Sequence, residues 1–130
     1  MLGDCHVHMV LDGVDYRAAM NRHRPQPDEN AIRACLNDYR NAGIVYLRDG
    51  GDKLGAAKRA GELAPEYGIE YRTPIFPICR KGRYGAFIGR AFENFSEYRA
   101  LVDEVKRENG DFIKIMISGL MDFDHYGVIT

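Results

Sequence analysis

The chain has no tryptophan, only three cysteines and almost no excess of charge, with 18 Lys and Arg against 19 Asp and Glu in 130 residues. Cys5, Cys35 and Cys79 cannot all pair, and their spacing matches neither a zinc ribbon nor a C-x-x-C motif. This pattern excludes a disulfide-stapled mini-protein and predicts a reducing, cytoplasmic location. The net charge of −1 argues against a nucleic-acid or anionic-membrane binder, because phosphate binding needs an excess of Lys and Arg.

Long hydrophobic runs are also missing. The first apolar stretch is interrupted by Asp4, His6, His8 and Asp12 and has no basic segment before it, so neither a signal peptide nor a transmembrane helix is predicted. The 45% hydrophobic and 28% charged residues that are present describe one globular unit over residues 1–130, with no internal domain boundary. A complete eight-stranded α/β barrel takes roughly 250 residues and is therefore excluded.

Hydrophobic runs alternate regularly with turn signals along the chain. Strands are predicted at 1–10, 43–47, 69–76 and 112–117. Helices are predicted at 28–43, 53–64 and 96–109, with a helical turn near 14–21 and a glycine-rich, basic loop at 77–92. The crossovers are long enough for parallel pairing, which indicates an α/β fold of parallel β/α units. Periodicity alone leaves open a small open sheet or four units of a barrel.

The first candidate site is the segment Asp4-Cys5-His6-Val7-His8. Side chains alternate along a strand, so Asp4, His6 and His8 are expected on one side, with Cys5 and Val7 on the other. Two convergent imidazoles suit a divalent metal such as zinc, and a nearby carboxylate orients a ligand ring. The alternative is two incidental histidines on a half-exposed strand.

The second candidate is Lys114 in the most hydrophobic predicted strand. Ile113, Ile115 and Ile117 share one face of that strand, which leaves Lys114 on the opposite side. Burial disfavours an ammonium group, and a neutral amine is a nucleophile that forms a Schiff base or reacts with carbon dioxide to give a carbamate. A lysine whose stem lies along an edge strand, with its charge in water, is the alternative.

Three segments together resemble the amidohydrolase superfamily, most closely its imidazolonepropionase-like and Xaa-Pro-dipeptidase-like metal hydrolases. They are DCHVH at 4–8, GIVYLRDGG at 43–51 and IKIMISG at 113–119. The resemblance covers nearly the whole chain, and three motifs in the right order are more specific than any one of them.

The resemblance implies the first four strands of a TIM-type (β/α)8 barrel, with one or two divalent metals, commonly zinc, at the strand ends. It matches His6 and His8 to the first-strand ligands and Lys114 to a lysine that, once carboxylated, bridges two metals. It also implies that a metal-activated water hydrolyses a C–N bond in a small-molecule substrate, namely an amide, a cyclic amide or a dipeptide.

The chain also departs from that family. Such enzymes take further histidine ligands from the fifth and sixth strands and an aspartate base from the eighth, and no counterpart of these precedes Thr130. The resemblance therefore predicts the N-terminal half of a barrel, with the catalytic base unknown. Two open strand edges then predict self-association or dependence on a missing C-terminal half.

Four further positions are candidates for binding substrate or supporting the ligands. Asp49 follows the second strand and either orients a ligand, binds substrate or forms a turn before two glycines. Arg83 and Tyr84 lie in the basic loop and either close over an anionic substrate group or belong to a solvated loop. His125 follows the fourth strand and is placed to reach the substrate.

Two other functions stay open. The segment from Asp4 to His8 also resembles the first strand of metal phosphoesterases of the polymerase-and-histidinol-phosphatase type, in which Lys114 has no evident role. The other alternative is that the chain on its own is a truncated half-barrel that binds metal and has no catalytic activity.

Overall fold

A computed structural model describes residues 1–118 of the chain. The strands in this range are β1 Leu2–Val7, β2 Ile44–Asp49, β3 Glu70–Arg72, β4 Ile78–Arg80, β5 Arg90–Phe92 and β6 Ile115–Met116. The helices are α1 Tyr16–Arg22, α2 Glu29–Asn41, α3 Ala56–Leu63 and α4 Phe95–Arg107, and a 3-10 turn at Ala64–Tyr67 continues α3. None of these helices is long and apolar enough to cross a membrane.

The strands form two small parallel sheets. One has the order β1-β2-β3 and the other has the order β5-β4-β6. The molecule is therefore α/β with parallel pairing, but the predicted first four strands of a TIM-type barrel are wrong, because six short strands divide between two sheets.

The break between the sheets lies in the segment Thr73-Pro74-Ile75-Phe76-Pro77. Pro74 and Pro77 have no N–H to donate to a ladder, and Ile75 has a φ of 67°, a left-handed conformation that a β-branched residue rarely adopts. The Ile75 N–H donates to Thr73 Oγ1 at 3.0 Å, and the Ile75 carbonyl accepts from the Asp52 N–H at 3.0 Å. The strand predicted at 69–76 therefore ends at Arg72.

The second sheet is built from residues that were predicted to form a loop. β4 and β5 both fall within 77–92, and Cys79 lies opposite Ala91 in their ladder. The last strand is shorter than predicted and pairs with β4, and the Ile78 N–H donates to the Lys114 carbonyl at 2.8 Å just before it. This pairing places Lys114 at the entrance to β6.

The main core lies between the first sheet and the helices that follow its strands. α2 begins after Asp28, whose carboxylate accepts from the Ala31 N–H, and it buries Ile32 and Leu36. These pack with buried residues of β2 and α3, including Leu47. A smaller cluster of Ile75, Phe76, Ile78 and Val105 joins α4 to the segment that separates the sheets.

Candidate functional site

The ends of β1 and β2 lie side by side. Val7 is opposite Asp49, and the Gly50 N–H donates to the Val7 carbonyl at 2.7 Å. The register shifts between Asp4 and Val7, so strict alternation fails there. As a result Cys5, predicted on the other face, lines the same cleft as His6.

The two histidines at the end of β1 are close together. The ring centroids of His6 and His8 are 5.3 Å apart, with their planes inclined by 56°. His6 is exposed, whereas His8 is half-buried, and His8 Nδ1 lies 3.2 Å from the Gly51 carbonyl oxygen. Because a carbonyl only accepts, Nδ1 carries the hydrogen and His8 Nε2 keeps its lone pair.

The two positions after Asp49 have no room for a side chain, because other residues lie very close to both glycines. A Cβ on Gly50 would lie 2.3 Å from His8 Cε1, so the imidazole packs directly on the glycine. Gly51 has a φ of 80°, and a Cβ there would lie 2.9 Å from the α-carbon of Phe76. The Gly50-Gly51 pair thus lets β2 turn while His8 stays against it.

Lys114 and Arg48 complete a small cleft of about 120 Å³. Its walls are formed by Cys5, His6, Arg48, Asp49, Gly50, Phe112 and Lys114. Lys114 is half-buried, and the Arg48 guanidinium lies 4.2 Å above the centre of the Phe112 ring, in a cation–π contact. Residues from β1, β2 and the start of β6 therefore meet in one place.

The charge of Lys114 affects both histidines. It is the largest cause of a lowered pKa at His6, followed by burial and by His8, while Asp4 and Asp49 act in the opposite direction. Burial is the largest cause of a lowered pKa at His8, and the charge of Lys114 adds to it. A lowered pKa favours the neutral ring, the state in which imidazole binds a metal.

The carboxylate of Asp49 is buried and is hydrogen-bonded to donors of the protein itself. It is 1% exposed, and its carboxylate accepts from the Met9 N–H at 2.7 Å, from the Gly51 N–H and from the Tyr71 hydroxyl at 2.6 Å. Burial raises the pKa of Asp49 to about 6, against the effect of these hydrogen bonds. Asp49 thus forms the turn before the glycines and ties the end of β1 to β2 and β3.

Asp4 also contacts the backbone. Its Oδ1 accepts from the His6 N–H at 3.1 Å, so the observed contact orients the strand and not the ring of His6. Within residues 1–118 no group of three or more His, Cys, Asp or Glu side chains is arranged to hold a metal ion. His6 and His8 offer two donors, and the third group beside them is Lys114.

The other predicted positions lie elsewhere. Arg83 lines a second cleft with Met116 and Ile117, and Tyr84 lines an apolar cleft with Phe87, so neither borders the cleft of His6 and Lys114. His125 lies outside the described residues.

Sequence reasoning missed two partners of the site. The Asp-Gly-Gly run could have indicated the packing of His8 on Gly50, since glycine permits close approach. No sequence pattern links Tyr71 with Asp49, because that contact joins two strands that are 22 residues apart. Comparisons with protein-family models, with curated proteins and with solved structures find no match for this chain.

Proposed function

We propose that the chain carries part of a metal-dependent hydrolase site that cleaves a C–N bond in an amide, a cyclic amide or a dipeptide. The observation that supports this proposal best is the meeting of His6, near the end of β1, with Lys114, just before β6, beside the half-buried ring of His8. These residues are far apart in the sequence, and only folding places the lysine beside the histidine pair.

The donor set fits a divalent metal of the zinc type. Burial favours the neutral form of both imidazoles whatever the charge of Lys114, and the Gly51 carbonyl accepts from Nδ1 of His8 so that Nε2 is the donor. A backbone carbonyl bound to the second ring nitrogen is the usual support of a histidine ligand. When bound, such a metal supplies Lewis acidity to a carbonyl group and makes a water molecule more acidic.

Lys114 fits this site only after its charge is reversed. An ammonium group would repel a cation held by His6 and His8, whereas a carbamate offers two anionic oxygens. In forming it, the lone pair of the neutral Nζ makes a new N–C bond to carbon dioxide, the electron pair of one C=O π bond moves to its oxygen, and a proton passes from the nitrogen to solvent water. The Arg48 guanidinium in the same cleft would favour the resulting anion.

A second candidate function is supported by the same cleft in its unmodified state. Arg48 and Lys114 together make the cleft cationic, which suits a phosphomonoester as substrate. A panel of dipeptides, N-acyl amides and phosphomonoesters separates the two functions. Turnover of phosphomonoesters alone would replace the first proposal by the second.

Metal analysis of protein purified without a histidine tag tests the site. We expect bound zinc or a similar ion, lost in the double variant His6→Ala and His8→Ala and retained in His23→Gln, because His23 lies outside the cleft and its Nδ1 accepts from the Asp28 N–H. Equal metal content in the double variant would disprove the site. Metal without turnover of any substrate would favour the non-catalytic alternative.

Lys114 is tested separately by carbon NMR with labelled bicarbonate. We expect a carbamate signal in metal-loaded protein that disappears in Lys114→Ala. Lys106→Ala changes an exposed lysine of α4 whose nearest acid is Asp103, and it should keep the signal and any activity. A carbamate signal that survives in Lys114→Ala would show that another amine carries it.

We also propose a cytoplasmic location, one or two bound zinc ions and a small-molecule substrate. The exposed thiol of Cys5 borders the cleft beside His6, and a reducing compartment would protect it from oxidation. Labelling of Cys5 by a thiol reagent in intact cells, read by mass spectrometry, tests the location.

A further inference from the structure

A two-part pocket, made of two clefts that share the side chains of Tyr16 and Phe87, lies where the loop after β1 and the start of α1 meet the segment between β4 and β5. It has no lining residue in common with the histidine cleft. One part of it is apolar, has a volume of about 390 Å³ and is lined by Leu11, Tyr16, Tyr84 and Phe87. Tyr16 and Phe87 remain 49% and 36% exposed, which is unusual for large apolar side chains that already touch one another.

The aromatic rings form a continuous wall. The centroids of Tyr16 and Phe87 are 6.1 Å apart in an edge-to-face arrangement, and those of Tyr84 and Phe87 are 5.6 Å apart. Such contacts hold the rings in place without closing the cleft between them. The wall therefore presents a preformed apolar surface.

The other part of the pocket is cationic and shares this wall. It has a volume of about 360 Å³, and Tyr16 and Phe87 line it together with Arg17, Arg24 and Lys53. No acidic residue lines it. The chain as a whole has a net charge of −1, so a cleft lined by three cations and no acid is much more positive than the rest of the chain.

Each of these cations is bound to a neutral acceptor. Arg17 Nε donates to the Tyr16 hydroxyl at 2.9 Å, Arg24 Nε donates to Asn21 Oδ1 at 2.7 Å, and Lys53 Nζ donates to the Ala86 carbonyl. Among the described residues none of the three forms an ion pair with a carboxylate.

Asp15 is the nearby acid whose charge acts on Arg17. Its Oδ1 accepts from two backbone N–H groups at the start of α1, those of Arg17 and Ala18. The guanidinium and ammonium hydrogens not used in these contacts remain available to an anion.

We propose that this two-part pocket binds a small amphipathic acid, with an aromatic or branched apolar group against Phe87 and an anionic group at Arg17, Arg24 and Lys53. Each of the two clefts lies within the size range of an ordinary small-molecule site. Charge-assisted hydrogen bonds from several donors make the pocket prefer an anionic group to a neutral one. The aromatic wall packs against the apolar group of the ligand. This proposal is independent of the metal site.

The test compares two matched probes, 3-phenylpropionate and its neutral amide, by calorimetry and by NMR titration of the metal-free chain. We expect the acid to bind about ten-fold more tightly than the amide, as one charge-assisted hydrogen bond would give. Arg24→Gln and Lys53→Gln should each reduce this preference, and Phe87→Ala should weaken both probes. Equal binding of the two probes would overturn the proposal.

Matched controls lie on α4. Phe95→Ala removes an aromatic ring that is 71% exposed, and Arg99→Gln removes an exposed cation. Neither change should affect binding. If these controls lose as much probe binding as the pocket variants do, the proposal is overturned. Binding to phosphatidylserine vesicles without binding of the free acid would also overturn it. Because these titrations use the metal-free chain, their result does not depend on whether the hydrolase proposal is correct.

Discussion

At the scale of single residues, the candidate site depends on the absence of a side chain at position 50. The His8 ring lies where a Cβ of residue 50 would be. We predict that Gly50→Ala displaces the imidazole and lowers zinc affinity by about ten-fold or more, the usual effect of a misplaced ligand support. Competition with a zinc chelator measures this affinity.

The control for this prediction is Gly61→Ala in α3. A Cβ there would make ordinary contact with Tyr71 at 3.5 Å, and alanine favours a helix over glycine by about 1 kcal/mol. This variant should keep its zinc affinity and be slightly more stable. A normal zinc affinity in Gly50→Ala would show that the position of His8 does not matter for the metal.

Asp49 leads to a prediction about pH. Its pKa is raised from 3.8 to about 6 by burial, so between these values the folded chain binds more protons than the unfolded chain. The contribution of Asp49 to the free energy of unfolding therefore falls as pH rises from about 4 to about 7, by on the order of 2 kcal/mol. Carbon NMR of the carboxyl group measures the pKa directly.

The stability effect is read as a difference between the native chain and Asp49→Asn. His6, His8 and His23 have lowered pKa values, and each contributes stability that rises with pH in a similar window. His8 and His23 contribute equally to both proteins, but the charge of Asp49 raises the pKa of His6. The comparison is therefore made with His6→Gln in both proteins, so that the difference isolates Asp49. A difference that does not vary between pH 4 and pH 7 would contradict the raised pKa.

At the scale of elements, local signals predicted the helices well. The helix predicted at 28–43 is observed as α2, which begins after Asp28, whose carboxylate accepts from the Ala31 N–H. Gly43, with a φ of 76°, follows the end of that helix. The helix predicted from 96 to 109 is observed as α4, which begins one residue earlier and ends two residues earlier, with Asn94 as its cap. Helix ends depend on neighbouring residues, so a sequence pattern can locate them.

Strand pairing was predicted much less well. β4 and β5 are three residues each, and their partners are set by contacts that no local pattern contains. The left-handed Ile75 was also unexpected, because its conformation depends on hydrogen bonds to Thr73 and Asp52. Tertiary contacts therefore decided where the sheets divide.

The start of α3 is held by Asp52, which leads to a prediction about stability. The helix was predicted from 53 but begins at Ala56, and the carboxylate of Asp52 accepts from the N–H groups of Leu54, Ala56 and Ala57. Asp52 is 2% exposed. We predict that Asp52→Ala lowers the free energy of unfolding by about 1–2 kcal/mol, measured by urea denaturation.

The exposed Asp103 of α4 is the matched control. Its contact with Lys106 is 3.6 Å long and solvent-exposed, so Asp103→Ala should change stability by less than about 0.5 kcal/mol. Equal losses in the two variants would show that the hydrogen bonds from the start of α3 to Asp52 do not stabilise the fold.

At the scale of the whole molecule, the residues of the candidate site were easier to predict than the loops around it. The pairing of His6 with His8 follows from their spacing, and the meeting with Lys114 was expected from a family resemblance. Arg83 and Tyr84 were placed at the site by their position in a loop. The segment between β4 and β5, which carries both residues, packs on the second sheet, where a Cβ on Gly85 would lie 2.6 Å from Met116 Sδ.

The last prediction concerns association. β1 and β6 are edge strands, and Leu2, Ile115 and Ile117 are 62%, 43% and 90% exposed in the part of the chain that the structure describes. Exposed apolar side chains beside unpaired backbone groups favour pairing with a second copy. We predict that the chain self-associates at micromolar concentration, as measured by sedimentation velocity.

The double variant Leu2→Lys and Ile117→Lys should shift this equilibrium towards the monomer, because a charged edge strand resists pairing. Phe95→Lys changes an exposed apolar residue of α4, 71% exposed and distant from both strand edges in the sequence, and should leave association unchanged. A native chain that sediments as a monomer at every concentration would contradict the prediction. Equal dissociation by Phe95→Lys would assign the contact to α4 instead of the strand edges.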